Sequence, residues 1–210
     1  MNVVFVHGFW DTGNVFRRLH RELTAAGHTC FAPTLHPRDG RRGLADLART
    51  LAGCIDHGLP PAAPFAVVGF SMGCLVARYY LQNLRGGRCV PAFFAISGPM
   101  RGTATAYLYP GRGARDMRYG SDFLRELNAA SPALEGIQLH TYYTPFDLII
   151  LPPGSSHLPG VRPTRIGSLL HPWMLTSPQL AADILQKLAR LEPAPRPSFK
   201  AFVGDDVRRL

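Results

Sequence analysis

The stretch from Phe65 to Leu84 limits what this chain can fold into more than any other. Phe65-Ala66-Val67-Val68 is an uncharged run rich in β-branched and aromatic residues, and Gly69-Phe70-Ser71-Met72-Gly73 follows without a break. From Met72 to Leu84 the residues Leu75, Val76, Tyr79, Tyr80 and Leu84 recur at helical spacing. An apolar run without polar alternation predicts a strand buried on both faces, the kind found where helices cover a parallel sheet. Passing at once from such a strand into a helix needs a sharp turn. Glycine at 69 and 73 removes side chains that would collide across it, and the turn lifts the Ser71 hydroxyl above the sheet.

The same alternation runs along the rest of the chain. Val3 to Val6 and Thr29 to Ala32 read as strands, separated by a helix that Asn14 is placed to cap, with Phe16, Leu19, Leu23 and Ala26 on its apolar face and Gly27 at its end. Leu44 to Ile55 is a second amphipathic helix, and Gly86-Gly87 stops the helix after Ser71. Val90 to Ile96 is a strand that tolerates Pro91 only at its first positions. Ser97 to Gly120 reads as a long irregular connection, of the length that is usually functional or mobile. Ser121 opens a helix to about Ala130, Ile137 to Tyr143 is a strand, and Arg165 to Ser168 a last short one. Ser177-Pro178 starts a helix to about Leu191. These elements predict an α/β fold, a three-layer sandwich whose central, mostly parallel sheet is covered by helices. Right-handed crossovers put every strand's C-terminal end on one rim, where ligands bind.

Composition sets the bounds. The 210 residues, 46% hydrophobic and 18% charged, suit one globular domain over 1–192, followed by a Pro-containing extension at 193–210 that packs or dangles. The formal net charge of +9 comes from arginines scattered along the chain, with no groove-reading helix or zinc-finger spacing, so specific nucleic-acid binding is not expected. Cys30, Cys54, Cys74 and Cys89 form no CxxC or other metal-ligand pattern; buried free thiols are expected, with no metal and no cofactor. A strand beginning at Asn2 leaves no room for an export signal, so the expected location is cytoplasmic, although a processed or trimmed exported form would read the same. The sequence sets no oligomeric state.

A serine hydroxyl becomes a useful nucleophile only when a base takes its proton, and that base needs a third group to fix its tautomer. His7, His20 and His28 belong to the first βα unit. His36 and His57 precede Ser71 and would break the order serine, acid, histidine of strand-turn-helix nucleophiles. His140 lies within a predicted strand. His171 stands between the last short strand and the terminal helix and is the expected base, with His157 as the alternative. Asp147 follows a strand directly and sits between two apolar runs, where an unpaired carboxylate is costly. It is the expected acid; Asp183 lies mid-helix, and Asp116 and Asp122 lie in or beside the long connection. The oxyanion of acyl transfer needs two convergent amides, expected from Met72 and, in the loop after the first strand, from Phe9.

These residues resemble an α/β-hydrolase of the small bacterial lipase and esterase type, similar to triacylglycerol lipases. The resemblance rests on four stretches: Val4-Phe5-Val6-His7-Gly8-Phe9, Val68 to Gly73, Tyr142-Tyr143-Thr144-Pro145-Phe146-Asp147, and His171-Pro172-Trp173-Met174-Leu175-Thr176-Ser177-Pro178. It covers about residues 3 to 190. It implies Ser71 as nucleophile, His171 as base, Asp147 as orienting acid, and Phe9 and Met72 as oxyanion donors. The implied activity is hydrolysis of apolar acyl esters through an acyl-enzyme. Thioesterase or acyltransferase chemistry on the same triad, or an inert hydrolase-shaped binding protein, are the alternatives. Phe70 stands where many members have histidine, and the connection at 98–120 is longer than in lidless members; Tyr107-Leu108-Tyr109 is either a small flap or a packed loop. Trp10, Phe70, Tyr107, Leu108, Tyr109, Leu148 and Trp173 are expected to wall a pocket for a small-molecule or lipid ester. The positive field and aromatic loops also suggest weak contact with an anionic membrane surface.

Overall fold

The computed structural model describes residues 1–85 and 88–191. Six strands form one sheet in the order β2-β1-β3-β4-β5-β6, and every pairing is parallel. They are β1 (Asn2–Val6), β2 (Thr29–Phe31), β3 (Phe65–Phe70), β4 (Ala92–Ile96), β5 (Gln138–Tyr143) and β6 (Thr164–Arg165). Helices α1 (Arg17–Ala25), α2 (Leu44–Gly58), α3 (Met72–Tyr79), α4 (Arg112–Asp116), α5 (Asp122–Ala129) and α6 (Pro178–Ala189) connect or follow them. This is the three-layer α/β-hydrolase arrangement expected from the sequence.

The uninterrupted apolar strands are explained by burial on both faces. Val3 and Phe5 of β1, with Ala66, Val68 and Phe70 of β3, pack against α1 and α6 through Leu19, Leu23, Leu180 and Ile184. Val4, Val6, Phe65 and Val67 point the other way, onto Leu47, Leu51 and Ile55 of α2, Leu75 and Val76 of α3, and Leu124 and Leu127 of α5. Each fully buried aliphatic or aromatic side chain contributes about 1.5–3 kcal/mol, so both faces hold the sheet.

Helix ends follow local chemistry. Ser121 accepts a hydrogen bond from the Leu124 amide, and Ser177 from the Leu180 amide with Pro178 in the first turn. Gly27 leaves α1 at φ +87°, a conformation that favours glycine.

Several boundaries differ from the sequence reading. Thr12, not Asn14, accepts the capping bond, from the Asn14 amide, and the chain enters α1 through a 3-10 turn over Gly13–Phe16. The helix after Ser71 is α-helical only to Tyr79 and continues as a π turn over Tyr80–Leu84. Pro91 lies just before β4, where only its carbonyl is used, by the Gln138 amide. The connection after β4 is not irregular throughout. It holds a 3-10 turn at Ala104–Leu108 and helix α4, because Gly113 packs against the Gly40 backbone and donates its amide to the Gly40 carbonyl. The expected stop at Gly86-Gly87 and the extension at 193–210 lie outside the described residues.

Strand order reverses between β1 and β3: the chain leaves β1 for β2 on one side and returns to β3 on the other. In open α/β sheets such a reversal opens a crevice at the strands' C-terminal ends. Phe9 follows β1 and Ser71 follows β3, so both stand at that crevice.

Candidate active site

Ser71 is held at φ 53° and ψ −127°, a backbone conformation that residues with a side chain rarely adopt. It persists because its surroundings fix both sides of the turn. The Ser71 amide donates to the Ile96 carbonyl at 2.9 Å, and the Ser71 carbonyl accepts from the Cys74 amide at 3.0 Å. A Cβ on Gly69 would lie 2.8 Å from the Cys74 Cα, and one on Gly73 would lie 2.0 Å from the Val6 carbonyl oxygen. Only glycine fits at either place.

The loop after β1 is fixed by His7, which is fully buried. Its Nδ1 donates to the Gly8 carbonyl at 2.9 Å, and its Nε2 accepts from the Leu35 amide at 2.8 Å. Burial lowers its pKa, as this neutral bridging tautomer requires. A Cβ on Gly8 would meet Asp11 Oδ2 at 2.9 Å and Ser71 Cβ at 3.1 Å, so this loop passes against the serine. Among the described residues neither the Phe9 nor the Met72 amide donates to another backbone carbonyl. Met72 opens α3, where the helix dipole favours negative charge.

Asp147 and His171 are together. His171 Nδ1 lies 2.8 Å from Asp147 Oδ2, while Asp147 Oδ1 accepts the Ile149 and Ile150 amides, each at 2.9 Å. Asp147 is 2% exposed. Burial pushes its pKa up, but the His171 hydrogen bond and charge and the two amides outweigh that and hold it below the usual carboxylate value. The His171 ring lies 4.7 Å from the Phe70 ring, beside the serine turn. Its Nε2 is buried and has no hydrogen-bond partner among the described residues.

The other candidates have separate surroundings. His140 stacks on Phe94, and burial lowers its pKa to about 4. His157 meets Tyr143 edge-on. Asp183 accepts from Tyr142 and Lys187 rather than facing only solvent, Asp116 accepts from the Leu44 amide, and Asp122 pairs with Arg125.

A small pocket of about 50 Å³ adjoins Ser71 and Phe9. Thr103, Thr105, Ala106, Tyr109 and Met117 from the connection after β4 line it, with Ile149 and Ile150 from the loop after β5. Of the side chains expected to wall a pocket, Tyr109 is there. Phe70 is buried beneath the His171 ring; Trp10, Tyr107, Leu108, Leu148 and Trp173 face outward on the rim, Leu108 at 78% exposed. The sequence reading missed Thr103, Thr105 and Met117, whose places depend on the folded course of the connection: both threonine hydroxyls donate to the Ile149 carbonyl. It also missed Asp11, a carboxylate beside the serine whose pKa burial raises against the pull of His7 and His171. A larger concavity, about 730 Å³ between α2, α4 and α5, does not include Ser71. Among the described residues no cluster of side chains has the makings of a metal site, and no helix is long and apolar enough to cross a membrane.

Comparison with solved structures gives the same architecture. Lipase B of Aspergillus fumigatus superposes with a TM-score of 0.77 at 20% identity, over 90% of this chain and 52% of the lipase. The chain thus spans about half the length of that relative. A methylesterase from Arabidopsis superposes at 0.64 and 17% identity over 90% of this chain and 99% of its own. An extracellular alpha/beta-hydrolase from a Paenibacillus species does so at 0.63 and 16%, over 90% and 98%. No curated protein matches the sequence. A family model described as Thioesterase domain matches residues 2–141, two thirds of the chain and the whole span from β1 through β4 into β5. The chain therefore belongs to the thioesterase domain family, on an α/β-hydrolase fold.

Proposed function

We propose that this chain is a serine hydrolase that cleaves carboxylic esters through an acyl-enzyme on Ser71. The observation that carries the reading is the strained Ser71 turn, whose Phe70 ring lies 4.7 Å from a buried imidazole that Asp147 holds by Nδ1, leaving Nε2 as the nitrogen to receive a proton. Catalytic hydrogen bonds are often long before substrate binds and tighten in the complex.

In this mechanism Ser71 Oγ bonds to the ester carbonyl carbon as its proton passes to His171 Nε2. The carbonyl oxygen becomes an oxyanion, to which the Phe9 and Met72 amides donate. Collapse breaks the bond to the leaving oxygen, which takes the proton from Nε2 and departs as an alcohol. Water then gives its proton to Nε2, attacks the acyl carbon, and Ser71 leaves with that proton as the acid is released. Asp147 stays ionised and stabilises the imidazolium. An oxyanion donor of this kind contributes about 2.7–4 kcal/mol.

The small apolar pocket favours a short acyl group, with the rest of the substrate lying over the outward-facing aromatic side chains. The family match favours a second reading, in which the cleaved bond is a thioester; the same steps then release a thiol. Paired substrates with one acyl group, an oxygen ester and a thioester, decide between them by their kcat/KM ratio. Covalent labelling by a fluorophosphonate that Ser71→Ala abolishes is the expected result for either. Labelling that survives the substitution removes Ser71 from the chemistry.

A further inference from the structure

Every large apolar side chain exposed among the described residues sits in a connection that leaves the C-terminal end of a strand. Trp10 follows β1; Tyr107, Leu108, Tyr109 and Tyr119 follow β4; Phe146, Leu148 and Ile149 follow β5; Leu169, Leu170 and Trp173 follow β6. Because the sheet is wholly parallel, these loops share one rim, and the opposite end and the helical sides carry none. Scattered single apolar residues are normal on a protein surface, but a set confined to one end marks an interaction face.

Arginines interleave with these side chains. Arg38 exchanges backbone and side-chain hydrogen bonds with Trp10. Arg118 lies over the Tyr107 ring at 5.0 Å and donates to the Ala106 and Tyr109 carbonyls. Arg41 and Arg42 follow β2, and Arg101, Arg112 and Arg115 follow β4, on the same rim. Among the described residues none of these seven has a carboxylate within ion-pair distance, whereas Arg18, Arg49, Arg88 and Arg125 elsewhere do. Of the rim's aspartates, Asp147 is engaged by His171, Asp116 by the Leu44 amide and Asp39 by the Arg41 amide, Asp11 lies beside Ser71, and Arg42, Arg112 and Arg115 line the concavity between α2, α4 and α5 with Asp46, Asp116, Asp122 and Glu126 at distances beyond ion pairing.

We propose that this rim docks on an anionic phospholipid bilayer, with the apolar side chains entering the headgroup and acyl boundary, the arginines meeting lipid phosphates, and the mouth of the Ser71 pocket facing the membrane. Aromatic side chains favour that depth, and each arginine near an anionic surface strengthens partition about fivefold. A second copy of the chain fits the face less well, since symmetric pairing would set arginines against arginines. The proposal goes beyond the hydrolytic reading and does not rest on it: a chain without the serine hydroxyl docks as well.

The test is flotation of the Ser71→Ala protein with phosphatidylcholine vesicles, alone and with a third of the lipid replaced by phosphatidylglycerol. The expected result is partition onto the anionic vesicles, which falls as salt shortens the screening length from about 10 Å at 0.1 M to about 3 Å at 1 M. Arg112→Gln with Arg115→Gln should weaken it by more than about tenfold, and Leu108→Asp or Leu169→Asp should weaken it while leaving the melting temperature unchanged. No binding, or equal binding to neutral vesicles, overturns the proposal. So does a dimer in lipid-free solution that Leu108→Asp dissociates, since the face is then taken by a second copy. Turnover of a water-soluble ester by the unmodified chain is measured apart, so a failed hydrolysis and a failed docking remain distinct results.

Discussion

Contacts of single residues account for the site's precision. Gly73 faces the Val6 carbonyl so closely that a methyl group there must displace β1 or α3. Gly73→Ala is expected to lose more than about 3 kcal/mol of stability, read from urea unfolding midpoints. Gly53, inside α2 with nothing near its added Cβ, is the control: Gly53→Ala is expected to gain about 0.4–1 kcal/mol. Asp147 has a different kind of importance. With asparagine there, the amide offers Nδ1 a donor where the imidazole needs an acceptor, and the wrong tautomer is favoured. Asp147→Asn should lower kcat about 10⁴-fold with little change in KM, while Ser71→Ala should abolish the acyl-enzyme burst with a p-nitrophenyl ester. A burst of unchanged amplitude in the latter would contradict the role given to Ser71.

At the scale of elements, the connection after β4 supplies much of the pocket's lining. Met117 leaves α4 into the pocket, and the 3-10 turn at Ala104–Leu108 supplies Ala106. Met117→Ala enlarges a space of about 50 Å³ and is expected to shift preference toward longer acyl chains, checked by kcat/KM across a chain-length series of p-nitrophenyl esters. This element was the least legible in the sequence. The strands and the serine turn could be read because apolar runs and paired glycines state their requirement locally. The helix and turn inside 97–120 exist because Gly113 meets Gly40 and Thr103 meets Ile149, partners tens of residues away that no local pattern announces. For the same reason the aromatic residues expected in the pocket mostly lie outside it: their composition suggested an apolar wall, but their facing is set by the path of the loop. Asp147 and His171, far apart in sequence, could be anticipated because the parallel topology delivers both to one rim.

For the whole molecule, histidines that are wholly or partly buried give stability a pH dependence. Burial lowers the pKa of His7, His28, His140 and His157 from 6.5, to about 4 for His140. A histidine depressed in the folded state contributes stability that is full above its unfolded value, near 6.5, and is lost as pH falls toward the folded one. Asp11 and Asp116, raised by burial, act in the opposite sense in the lower part of that window, where the folded chain takes up their protons first. Asp147, held low, contributes stability that is lost only as pH falls below the ordinary carboxylate range. The urea midpoint is therefore expected to be flat from pH 8 to 7 and to fall between about 6.5 and 4. His140→Leu should make that fall shallower; an unchanged slope would show that His140 takes up no extra proton on unfolding.

The two threonine hydroxyls on the Ile149 carbonyl tie the segment above the pocket to the same short stretch whose amides grip Asp147. Anyone grafting a different substrate cover onto this scaffold inherits that knot. A chimera that exchanges residues 103–109 alone, without threonines at 103 and 105, strips the Ile149 carbonyl of both donors and loosens the cradle of Asp147, so the two segments have to be transplanted as one cassette.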